Sequence, residues 1–64
     1  MDHNDRLADI RQRLVSIGEE LEDLGLDVLR QAVDTGAEKR PPLERVIVTA
    51  RRAVDKAARS LEQP

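Results

Sequence analysis

Sixty-four residues with no cysteine, a single histidine (His3) and a formal net charge of −2 leave little room for chemistry. Disulfides and thiolate or histidine-rich metal sites are excluded, and neither a Ser–His–Asp nor a Cys–His set can be assembled. Phe, Tyr and Trp are all absent, which removes the stacking platforms of single-strand nucleic-acid binders and the aromatic anchors of many transient interfaces.

A chain this short is hard to stabilise on one core, and with disulfides and metals excluded the remaining support is a partner subunit. No apolar run approaches a membrane span and the charged N-terminus lacks the order of a signal peptide, so the expected setting is the cytoplasm. Arginine far outnumbers lysine, as in GC-rich bacterial genomes.

Residues 1–4 form a short polar lead, expected to be frayed, and a single domain is expected over 5–62. Asn4 or Asp5 can cap a first helix running over about 5–35, and Asp9 adds negative charge near its start. Along it, Leu7, Ile10, Leu14, Ile17, Leu21, Leu24 and Val28 follow at steps of three and four, the a/d pattern of a heptad. Gln31 is the polar residue on that seam, either exposed near the turn or a register device. Gly18, Gly25 and Ala32 recur at intervals of seven, each one residue past a seam position. Two interior glycines cost roughly 1 kcal/mol each relative to alanine, and close approach of a second helix is the physical return.

Gly36 suits a left-handed helix end, and 36–41 reads as a tight connection. Pro41 and Pro42 block continuation, and Pro42 fits the first turn of a second helix over about 42–61. Its seam reads Leu43, Ile47, Ala50, Val54, Ala57, Leu61, with Ala53 and Ala58 flanking. The strand-forming types in Val46–Thr49 are too few to override the helical pattern. A short link between two amphipathic helices predicts an antiparallel, coiled-coil-like hairpin, hence an all-α fold.

The two lengths differ. A first helix of about thirty residues is roughly 45 Å long and the second nearer 30 Å, so Leu61 is expected to reach only Ser16. That leaves Leu7, Ile10 and much of Leu14 uncovered, and Leu26, Leu29, Val33 and Val48 add apolar surface near the turn. At about 1.5–3 kcal/mol per buried aliphatic, such exposure rivals the whole stability of a small domain. The expectation is that two hairpins pair into a four-helix bundle, with Leu7, Ile10, Leu14, Leu26, Leu29, Val33 and Val48 at the oligomer or partner interface.

Charges are segregated: through Ala37 nine acids face four basic residues, and from Glu38 onward seven basic residues face four acids. Helix one carries Glu19, Glu20, Glu22, Asp23 and Asp27, and helix two carries Arg45, Arg52 and Arg59 at spacing seven, with Lys56 beside them and Arg51 nearer the seam. Opposite charge can fix which helix faces which. Arg45, Arg52, Lys56 and Arg59 also form a stripe suited to an anionic partner. A pI near 5.3 and the lack of a helix-turn-helix argue against dedicated nucleic-acid binding. The carboxylate pairs Glu19/Glu20 and Glu22/Asp23 lack the accompanying histidine of di-iron bundles and lie off the seam. There is no glycine-rich phosphate loop, and helix two's largely alanine apolar face lacks membrane anchors.

These features point to a non-catalytic interaction or adaptor protein, homodimeric, with no cofactor and no membrane. A second protein could dock on the N-terminal part of helix one. The alternatives are a nucleic-acid-associated regulator using the basic stripe, or an accessory subunit of a larger enzyme.

Overall fold

The computed structural model describes residues 2–36, 38–39 and 41–62; Met1 of the expected lead, and Ala37 and Arg40 of the connection, lie outside that set. The described residues form two helices, α1 (His3–Asp34) and α2 (Pro42–Ser60), packed side by side, with no strand among them. α1 begins two residues earlier than the expected start, because Asp2 rather than Asn4 or Asp5 is the cap: its Oδ1 accepts from the Asp5 N–H at 2.8 Å.

α1 ends through Thr35, whose hydroxyl donates to the Gln31 and Ala32 carbonyls at 3.0 and 3.1 Å. Gly36 follows at φ +75°, the left-handed conformation glycine adopts at least cost, and its N–H donates to the Val33 carbonyl. Pro41 is extended (φ −60°, ψ 140°), and α2 starts with Pro42 in its first turn, where the missing N–H costs nothing.

The hairpin is a rod of 51 × 15 × 14 Å, with a radius of gyration of 15.3 Å against about 11 Å for a compact chain of this length. Its register is set by glycine. A Cβ built on Gly25 would meet Ile47 Cγ2 at 3.5 Å, and one on Gly18 would meet Asp55 Oδ1 at 2.9 Å and Val54 Cγ1 at 3.9 Å. Arg11 and Ala8 line a hollow with Leu61 and Glu62. Residues of the two helices whose numbers add to about 72 therefore stand level.

Leu61 thus reaches Ala8 and Arg11, not Ser16. The pairing is thus displaced by about 7 Å along the axis, about five residues at 1.5 Å each. The uncovered end of α1 is correspondingly shorter than the helix lengths suggest.

Both helices are also rotated relative to the expected seam. On α1 the column Leu7, Leu14, Leu21 and Val28 is half-buried as the heptad predicts, but its companions facing α2 are Arg11, Gly18, Gly25 and Ala32. Ile10, Ile17 and Leu24 stand exposed. On α2 the inward column Ile47, Val54 and Leu61 is shared with the expectation and is joined by Glu44, Arg51 and Ala58; of the other expected seam residues Ala50 and Ala57 stay half-buried at the margin of the contact, and Leu43 stands exposed. The physical reason is close approach: glycine and alanine columns let the backbones come together, whereas Ile17 and Leu24 would hold the axes apart. Ile47 and Ala58, at 5 % and 7 % exposure, are the buried apolar residues, and no large side chain among the described residues is completely enclosed.

Candidate association surfaces

Because each helix turns only part of its apolar stripe inward, the remainder emerges along the flanks of the rod. Ile10, Ile17, Leu24 and Gln31, spaced by seven, share one line on α1. Gln31 and Val28 line the same hollow as Leu43 and Pro42, which places the start of α2's outer row on this flank. Leu43, Val46, Ala50, Ala53 and Ala57 continue that row at steps of three and four. The large members, Ile10, Ile17, Leu24, Leu43 and Val46, are 38–62 % exposed. This flank is apolar over nearly the whole length of α2, with bulky residues along α1 and, past Leu43 and Val46, only alanines on α2.

The other flank differs in chemistry. Leu26, Leu29 and Val48 line a shallow groove together with Glu22, Glu44 and Arg51, and Leu26, Leu29 and Val33 line a second near the turn. Arg51 crosses between the helices: its Nη1 lies 2.8 Å from Glu22 Oε2 on α1, and its Nε lies 3.6 Å from Asp55 Oδ2 one turn along α2. The guanidinium thus spans both layers with its stem packed at the contact. Asp55 occupies the space a Gly18 side chain would fill. These charges interrupt the apolar surface midway, leaving it confined to the turn end.

The residues expected at an interface therefore fall in three places. Leu7 and Leu14 are half-buried in the column α1 turns toward α2. Ile10 lies on the first flank, and Leu26, Leu29, Val33 and Val48 gather on the second. Ile17, Leu24 and Leu43 were assigned by spacing to the inside, and Val46 was given no role; the structure displays all four. The signal that could have found them was the Gly18–Gly25–Ala32 column, which competes with Ile17 and Leu24 for the inward position.

Arg45, Arg52, Lys56 and Arg59 are exposed on the outer face of α2 and enter no ion pair among the described residues. Glu19, Glu20, Asp23 and Asp27 are exposed on α1, where Asp27 pairs with Arg30 at 3.4 Å. Among the described residues no three His, Cys, Asp or Glu side chains are grouped to hold a metal ion, and no helix is long and apolar enough to cross a membrane. Comparison with known proteins finds no family model, no curated protein and no solved structure that matches this chain.

Proposed function

We propose that this chain is a small non-catalytic association module of the cytoplasm, which pairs with a copy of itself into a four-helix bundle and meets other proteins through its charged outer faces. The observation that carries this reading is the exposed line Ile10–Ile17–Leu24 beside Leu43 and Val46. A flank of large aliphatics running along a domain marks an association surface, in contrast to single apolar residues scattered over a surface. The test is sedimentation equilibrium at micromolar concentration: twice the 7.2 kDa chain mass is expected, and a single-chain mass sinks the reading.

A second reading has its own observation, the ridge of Arg45, Arg52, Lys56 and Arg59 without ion-pair partners among the described residues. It assigns the outer face of α2 to an anionic partner, nucleic acid included. A mobility shift with duplex or single-stranded nucleic acid that fades steeply as salt rises supports it, and no shift at low salt ends it.

A further inference from the structure

We infer that the occupant of the Ile17–Leu24 flank is a second copy of this chain, seated so that α1 of each copy lies over α2 of the other about a two-fold axis parallel to the helices. This rests on the self-association reading above and specifies its face and arrangement.

Three observations carry it. The first is area. The chain exposes 5358 Å², about 1,200 Å² more than the roughly 4,100 Å² expected for a folded monomer of its mass. A stable interface removes about 800 Å² per partner, so a second layer of ordinary size removes about two-thirds of the excess. The second is shape. An axis parallel to the helices leaves every residue at its own height, so the register within one hairpin also applies between hairpins. Residues adding to about 72 are then level across the interface. Leu24 comes between Val46 and Ala50 of the other copy, and Ile17 between its Ala53 and Ala57, so each bulky knob meets at least one alanine. An axis across the helices would instead set α1 on α1, bulk against bulk.

The third observation is charge. Placing α1 over α2 brings the acidic edge of α1, with Glu20 and Asp27, beside the edge of α2 that carries Lys56, one turn past Ala53. The alternative stacking sets acid beside acid and base beside base. The opposite flank lacks these properties: its centre holds the Arg51–Glu22 and Arg51–Asp55 pairs, which a covering layer would have to desolvate.

The absence of native cysteine makes the test direct. Full-length Leu24→Cys and Ala50→Cys chains are prepared separately, oxidised alone and as a mixture, with Ile17→Cys and Ala57→Cys as a second pair and Leu26→Cys and Val48→Cys as the opposite-flank pair. Masses of the wild type and of each reduced variant are measured alongside. A dimeric wild type whose mixed Leu24→Cys and Ala50→Cys chains, or mixed Ile17→Cys and Ala57→Cys chains, cross-link about tenfold more than either chain alone supports the arrangement, since only facing positions come within the roughly 4.4–6.8 Å Cα separation a disulfide spans. A dimer in which single variants cross-link alone as readily as mixed ones overturns the α1-over-α2 seating. A dimer that cross-links only through the Leu26→Cys and Val48→Cys pair, or through none, overturns the choice of face. In both cases self-association itself stands. A monomeric wild type removes the proposal together with the reading beneath it.

Discussion

Asp55 Oδ1 stands 2.9 Å from the point that a Gly18 Cβ would occupy, nearer than real Cβ contacts come, so the absent side chain of α1 is the space the carboxylate of α2 fills. Gly25 is different: its Cβ would meet Ile47 Cγ2 at 3.5 Å, ordinary van der Waals contact. Gly25→Ala should therefore collect the helix-propensity gain, raising stability by about 1 kcal/mol in urea unfolding. Gly18→Ala should gain clearly less, because Asp55 must move and its pairing with Arg51 changes. Equal gains at both positions would mean that Gly18 is not a contact glycine.

Arg51 joins the two helices through Glu22 at 2.8 Å. Both side chains keep about a third to a half of their exposure, so screening by solvent holds the pair to a small value. A double-mutant cycle with Glu22→Gln and Arg51→Gln should give a coupling of about 0.5–1 kcal/mol that shrinks as salt rises. A coupling indistinguishable from zero at low salt would remove the pair as a determinant of helix alignment.

Ile47 is the large aliphatic most completely removed from water, and it rests on Gly25. Truncation to alanine should cost about 2–4 kcal/mol, enough to melt much of the helical signal of so small a chain. Val33, 76 % exposed at the turn end, is the control: Val33→Ala should change stability by less than about 0.5 kcal/mol. Circular dichroism across a urea titration distinguishes the two.

Leu24 projects from the hairpin, so Leu24→Lys should leave the contact between α1 and α2 intact. In the bundle it occurs twice, each time against the other copy's α2. The dissociation constant should rise at least about 100-fold, read as a shift from dimer to monomer mass in sedimentation. Unchanged dimerisation would place Leu24 outside the interface.

The elements were legible from residue order because their causes are local. Gly36 at positive φ, Pro42 in the first turn of α2 and the heptad spacing of Leu7, Leu14, Leu21 and Val28 act over a few residues each. The start of α1 was less legible: Asp2, Asn4 and Asp5 are all competent caps, and only the Asp2 carboxylate meeting the Asp5 N–H selects one. Spacing also identified a stripe wider than one neighbouring helix can cover.

The tertiary structure decided which half of that stripe faces α2. A heptad pattern treats Ile17 and Gly18 as adjacent positions and favours the larger, since it counts apolar area. Packing against a real neighbour counts distance as well, and the Gly18–Gly25–Ala32 column brings the backbones closer than Ile17 and Leu24 could. Residue order therefore determined two helices, their hairpin and an excess of apolar surface. Three-dimensional contact alone turned Glu44, Arg51 and Ala58 inward, carried Leu61 to Ala8 and Arg11, and left Ile10, Ile17, Leu24, Leu43 and Val46 outside as a continuous flank.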